Sequence, residues 1–200
     1  VISNAVSSVL LFRRLCMGGE LIGIKLKSLR IDRKMLIKII KIGLPAGIQS
    51  AVFAFSSIVI QAAINSLGKV VMAASGAAFS LEFFTYSILT AFSQACTTFV
   101  GQNFGAGNFQ RCKKTLALCL AEGFAILALV ITLLFFFGKA LLAVFNNDPE
   151  VVSIGYIRLI IIMLTHSFSM IYEVLSGYLR GFGISFIPAV LTTVGVCGIR

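Results

Sequence analysis

The chain has 200 residues, 58% of them hydrophobic and only 12% charged, at a mean hydropathy of +1.02. That composition excludes an ordinary soluble domain, which exposes far more charge, and equally a disordered or fibrous chain. The net charge of +10 does not mark a nucleic-acid binder: nine of the 17 basic residues lie between Arg13 and Lys41, beside long apolar runs and with no interleaved aromatics.

In chain order, residues 1–12 look like the tail of a membrane span. Residues 13–41 follow as a basic stretch whose acids are Glu20 and Asp32, so it alone carries +7 of the +10. Within it, residues 33–42 (RKMLIKIIKI) are amphipathic and read either as a surface helix leading into the next span or as an ordinary basic linker. A spanning helix needs about 20 mostly apolar residues. Residues 39–67, 70–100, 115–137 and 152–179 each meet that length, and 185–200 look like the start of a further span. Only helices or closed barrels satisfy their backbone in lipid, and the period-2 alternation of a barrel is absent. The expectation is an all-α, polytopic integral membrane bundle with four full and two partial transmembrane helices. Because the chain opens and stops inside apolar runs, it reads as a fragment, and it shows no signal peptide.

Loop charges set an orientation. If 13–41 is cytoplasmic, so are the loop at 101–114 with Arg111, Lys113 and Lys114, and the turn at Arg180. The opposite loops hold Lys69, Lys139, Asp148 and Glu150, the asymmetry that the positive-inside rule describes.

Small residues recur as three GxxxG pairs, Gly43–Gly47, Gly101–Gly105 and Gly177–Gly181, each of which lets helix backbones approach. Pro45 and Pro188 are expected in first helical turns, where a missing N–H costs nothing. The ionisable residues inside the spans are Glu82, Glu122, Arg158, His166 and Glu173. A charge at mid-bilayer costs at least about 3 kcal/mol, so such groups face an interior or a wet cavity. At helical periodicity Arg158, His166, Ser169, Glu173, Ser176 and Arg180 fall within an arc of about 80°, flanked by Thr165 and Tyr172. Ser75, Glu82, Tyr86, Thr90, Ser93 and Thr97 share a similar arc of about 80° on the preceding span but one. Ser50, Ser57, Gln61 and Asn65 form a weaker stripe on the 39–67 helix. Three wet faces imply a cavity between three helices.

Each of these charges has two readings. Glu82 either binds a cation or proton or makes a structural hydrogen bond to a neighbouring helix. Glu173 either serves the cavity or pairs with Arg180. His166 shares a face with Glu173, which allows a proton relay, and equally reads as a satisfied histidine of the bundle. Glu122 lacks polar companions and reads as packing or pairing. The residues expected to line a cation, proton or substrate cavity are therefore Glu82, Tyr86, Ser57, Gln61, His166, Ser169 and Glu173. Enzyme signatures are missing, with no GxSxG, HExxH, Walker loop or paired aspartates. No cofactor is expected. Cys16, Cys96, Cys112, Cys119 and Cys197 are scattered without a CxxC pair and read as small hydrophobes rather than a disulfide or metal set.

Four stretches resemble the multidrug and toxic compound extrusion (MATE) transporters: KIGLPAGIQS at 41–50, TTFVGQNFGAGNFQRCKK at 97–114, LFFFGKALLAVFNNDPEVV at 134–152 and LSGYLRGFGISFIPAV at 175–190. The resemblance implies that 1–12 ends transmembrane helix six and that 13–41 is the cytoplasmic link between two six-helix lobes. It makes 42–200 part of the C-terminal lobe, helices seven to eleven with the last truncated. It further implies an antiporter in the bacterial cytoplasmic membrane, exporting organic, often cationic and amphipathic compounds against inward Na+ or H+ flow by rocking two halves about a central site. Its partners would be a small organic substrate, membrane lipid and an N-terminal lobe of the same chain, with no nucleic acid. The carry-over of ion-site residues is incomplete. Phe53 stands where one branch of the family has a carboxylate, and Ser169 where that branch has an aspartate, whereas Glu82 matches a glutamate frequent in helix eight. The rival readings are a lipid-linked oligosaccharide flippase of the same superfamily, for which only Arg158 offers a cavity arginine, and a non-transporting scaffold.

Overall fold

The computed structural model describes residues 2–17 and 30–199, with side chains through 195. Glu20, Lys25 and Lys27 of the basic stretch, the side chain of Cys197, and Arg200 lie outside the described residues. The chain divides into two compact units, Val1–Ile40 and Lys41–Arg200. In the first unit, α1 (Ile2–Cys16) buries no residue and ends on Arg13 and Arg14, where cations complement the negative helix end.

The second unit is built on α2 (Arg33–Ser66), α3 (Lys69–Gly105), α4 (Phe109–Ala143), α5 (Pro149–Gly181) and α6 (Phe186–Ile199), and α2 itself starts in the first. The helices α2 to α5 are long and apolar enough to cross a membrane. The fold is therefore that of an all-helical, multi-pass membrane protein, in which α3, α4 and α5 extend past both ends of the stretches that hydropathy marks and α2 past the first end only.

Local chemistry sets the ends. The sharp reversal between α3 and α4 is made by Gly107, whose φ of 73° suits only a residue without Cβ. The Gly107 N–H reaches the Phe104 carbonyl and the Asn108 N–H the Asn103 carbonyl, the paired bonds of a Schellman stop. Asn108 then caps α4 by accepting the Arg111 N–H. Asp148 accepts the Glu150 N–H and Pro149 takes the first turn of α5, so this helix starts on a cap, a preset φ and an acid near its positive end. Gly183, at φ 81°, closes α5 with the same stop.

Residues 33–42 are helical: Arg, Lys, Leu and Met are good helix formers, and the helix runs unbroken from Arg33 into the span. Pro45 consequently lies inside α2 rather than in its first turn, and its ring removes the N–H that would otherwise answer the Lys41 carbonyl. Pro188 does sit in the first turn of α6.

The core lies among α3, α4 and α5. One apolar cluster joins Leu89, Cys96 and Val100 to Cys112, Cys119 and Leu127 of α4 and Met170 and Val174 of α5. A second joins Ala77 and Ala78 to Leu134, Leu142, Leu159 and Met163. The closest approach is between α3 and α5, which run parallel, and glycines on α5 permit it. A Cβ placed on Gly177 would collide with the backbone carbonyl of Ser93, and one on Gly181 would lie 2.7 Å from Val100 Cβ. Of the three GxxxG pairs, then, only Gly177–Gly181 is used as a pair. A Cβ on Gly101 would lie 3.5 Å from the Gly181 carbonyl oxygen, an ordinary contact, whereas one on Gly105, Gly43 or Gly47 would meet nothing within 4 Å among the described residues. Helix α2 buries a single residue, Gln49.

Candidate functional site

The polar faces of α2, α3 and α5 meet around three adjoining cavities. An inner one of about 180 Å³ is lined by Gln49, Ser50, Phe53, Tyr86, Thr90, Ser93, Gln94, Glu173 and Arg180, with Ala46. A middle one of about 500 Å³ shares Ser50, Phe53, Tyr86 and Glu173 with it and adds Ser57, Phe79, Glu82, Phe83, His166, Ser169 and Tyr172. A third, of about 530 Å³, shares Ser57, Phe79 and Glu82 with the middle one and extends to Gln61, Arg158 and Thr165. Together they form one seam, because each neighbouring pair has walls in common.

The helical period explains why the seam is polar over its whole length. Residues three, four and seven apart share a face, so Glu82, Tyr86, Thr90 and Ser93 on α3 stand opposite Arg158, His166, Ser169 and Glu173 on α5. Of the residues expected to line a cavity, Ser57, Glu82, Tyr86, His166, Ser169 and Glu173 line the middle chamber, and Gln61 lines the third. Glu82, His166 and Glu173 are buried, whereas Ser57 and Gln61 are exposed. Phe53 faces both the inner and middle chambers and gives each an apolar ring.

Both buried carboxylates are engaged. Arg158 donates to Glu82 through two bonds, Nε to Oε1 at 2.9 Å and Nη2 to Oε2 at 3.2 Å, a planar fork that matches the carboxylate. Glu173 accepts the Tyr86 hydroxyl at 2.8 Å on Oε1, and Arg180 Nη2 stands 3.9 Å from Oε2. The second contact is a charge pair too long to be a hydrogen bond. Arg180 Nε is buried without a partner among the described residues.

His166 places Nδ1 2.8 Å from the Ile162 carbonyl. A carbonyl only accepts, so Nδ1 is the donor of this bond. Its ring meets Tyr86 edge-on at 6.5 Å between centroids. The group that reaches Glu173 is Tyr86, not His166, so the shared helical face of His166 and Glu173 does not make them direct partners.

Backbone carbonyls tie the seam's two long walls together. Ser93 Oγ donates to the Glu173 carbonyl at 2.7 Å and Thr97 Oγ1 to the Gly177 carbonyl at 2.9 Å. Helix α2 is held by Gln49, whose Nε2 donates to the Tyr172 hydroxyl at 2.7 Å and to Thr192 Oγ1 at 3.0 Å. Tyr172 and Thr192 also bond each other.

Sequence reasoning missed the Glu82–Arg158 pair and the role of Gln49, whereas the pairing of Glu173 with Arg180 was one of its two readings of that carboxylate. The periodicity put Arg158 and Glu82 on inward faces, which is the one signal that was available. Glu122, expected to pack or pair, instead lies exposed on α4 and forms no ion pair among the described residues. It is one position round the helix from Gly123, which faces Met170 of α5, and that rotation of about 100° turns it away from the core. The described cysteines are free: Cys16 is exposed, and Cys96, Cys112 and Cys119 are buried.

Comparison with known proteins bears on the whole arrangement. The chain is 22% identical over 174 residues to the probable multidrug resistance protein YoeA of Bacillus subtilis, covering 87% of this chain and 38% of that one. It is 23% identical over 182 residues to the multidrug export protein MepA of Staphylococcus haemolyticus, covering 91% and 40%. It thus spans about two fifths of the length of these relatives. The fold matches that of a solved structure described as MATE in complex with MaL6, with a TM-score of 0.80 at 17% identity, covering 96% of this chain and 44% of that one. The model of the MatE family matches residues 45–200, which takes in every residue that lines the seam. This chain belongs to the MatE family.

Proposed function

We propose that the chain supplies the C-terminal half of the cavity of a secondary active antiporter. This transporter, rather than enzyme, exports organic, cationic and amphipathic compounds against inward Na+ or H+ flow. The observation that carries the reading is the seam itself. A middle chamber of about 500 Å³ is of the size that holds a drug-like molecule, and Phe53, Phe79, Phe83 and Tyr86 offer ring faces to an apolar cation. The buried Glu82 and Glu173 give it acidic groups inside the apolar spans. The relatives whose printed names speak of multidrug resistance and multidrug export support the same substrate class.

Alternating access by rocking two halves needs a second lobe across the cavity, and we assign that part to an N-terminal lobe of the same protein. The basic 13–41 stretch acts as the cytoplasmic link between the lobes, in a bacterial cytoplasmic membrane. No organic cofactor takes part, and the other ligands are the coupling ion and lipid.

The test is efflux of a cationic dye from cells expressing the complete gene, with the sodium and proton gradients collapsed separately. Loss of efflux with one gradient is expected, and it names the coupling ion. Efflux unaffected by both gradients, or no efflux at all, overturns antiport.

A further inference from the structure

We propose that Arg158 is a tethered cation that occupies Glu82, so that a transported organic cation reaches this carboxylate only by displacing the guanidinium. The proposal rests on the antiporter reading above and names the residue that sets its selectivity.

Four observations carry it. The first is placement: Glu82 stands in the wall common to the middle and third chambers, so its carboxylate is where a cation moving along the seam would dwell. The second is an asymmetry between the partners. Glu82 is held on the packed α3–α5 face, with Ala78 and Thr85 fully buried beside it, and its side chain is 11% exposed against 26% for Arg158. Arg158 has a long flexible stem and also borders an apolar recess of about 390 Å³ formed with Ile154, Ile157, Ile161 and Ile162, along which that stem can lie once the head group is released.

Thirdly, the pair is not needed to join its helices. α3 and α5 already meet through the glycine contacts of Gly155 and Gly177 and through Ser93 and Thr97, and a desolvated ion pair by itself is a weak stabiliser. Finally, the surroundings suit the incoming ligand. Phe79, Phe83 and Tyr86 stand in the same chamber as Glu82, so a cation with an aromatic or alkyl body gains apolar contact that the guanidinium leaves unused. Among the described residues the other charged or titratable groups facing the seam are His166, Glu173, Arg180 and the phenols of Tyr86 and Tyr172, and Glu173 has its own partners in Tyr86 and Arg180. The exchange is one ion pair for another, with no bond made or broken.

The experiment is equilibrium binding of radiolabelled tetraphenylphosphonium, a permanent organic cation, to the purified complete gene product. Arg158→Gln exposes the carboxylate and is expected to bind at least about tenfold more tightly than wild type, since one unit charge at about 4 Å and effective dielectric about 20 is worth more than one factor of ten. The double variant Glu82→Gln/Arg158→Gln loses that gain, and Arg158→Lys stays close to wild type. Binding by Arg158→Gln equal to or weaker than wild type overturns the proposal and leaves the antiporter reading standing. No binding by wild type or by any variant overturns both. Should Arg158→Gln fail to fold, Glu82→Gln decides against the double variant. With Arg158 uncompensated it is expected to bind on the order of tenfold more weakly than the neutral pair, and equal binding overturns the proposal.

Discussion

Glu82 and Glu173 meet the apolar interior in different ways. Glu82 faces a guanidinium fork at 2.9 and 3.2 Å, so one helix neutralises the charge of the other. Glu173 relies on a phenol at 2.8 Å and on an arginine 3.9 Å away, a looser arrangement beside the inner chamber. The hydroxyl of Tyr86 therefore matters to the buried Glu173 more than the distant charge does. Tyr86→Phe keeps the ring against His166 but leaves one carboxylate oxygen without its donor. It is expected to lower stability by about 1.5–3 kcal/mol, the worth of a hydrogen bond to a charged group, read as a lower unfolding midpoint of the purified protein. An unchanged midpoint would mean that water already serves Glu173. Such pairings were not legible beforehand: the sequence marks Glu82, Tyr86, Arg158 and Glu173 as inward-facing but does not say which meets which.

At the scale of the element, the three GxxxG pairs look alike in sequence and differ in use. Gly177 and Gly181 lie where α5 meets the α3 backbone, while a Cβ on Gly43 or Gly47 would meet nothing within 4 Å among the described residues. Gly177→Ala must push apart two helices that carry both apolar clusters and the walls of the seam. A loss of about 1–3 kcal/mol is expected, the usual cost of overpacking. Gly43→Ala, at an open helical position, is expected to be neutral or stabilising by about 0.5–1 kcal/mol through better helix propensity. Thermal unfolding of the two variants side by side checks this, and equal midpoints would contradict the close packing of α3 on α5. The GQNFGAGN run shows the converse, local chemistry that is legible once placed. Its Gly107 stops α3 and its Asn108 caps α4, so a motif noticed first as a family resemblance is also the physical device that turns the chain.

For the whole molecule, the distribution of charge across the membrane is the remaining handle. Arg111, Lys113 and Lys114 follow the turn between α3 and α4, whereas Asp148 and Glu150 start α5 at the opposite end of α4. Positive-inside orientation puts the first turn in the cytoplasm and the second outside. A single cysteine introduced at Asn147 in an otherwise cysteine-free version is expected to react with a membrane-impermeant maleimide added to intact cells. One introduced at Lys114 is expected to react only after the cells are opened. The reverse pattern would invert the orientation, and with it the side from which each chamber fills.

By itself the sequence determined the class of fold, the positions of the four spans and which side chains share a helical face. Those properties are local: hydropathy over about 20 residues and a period of 3.6 residues follow from the chain's own geometry and from the thickness of the bilayer. Only the tertiary structure decided that Arg158 holds Glu82, that Tyr86 rather than His166 reaches Glu173, that Gln49 is the buried tie of α2, and that one glycine pair of three packs as a pair against a neighbouring helix. Each depends on the rotation and axial register of one helix against another. Those are set by packing the full length of α3, α4 and α5 together, and a shift of a single residue in register would exchange every partner.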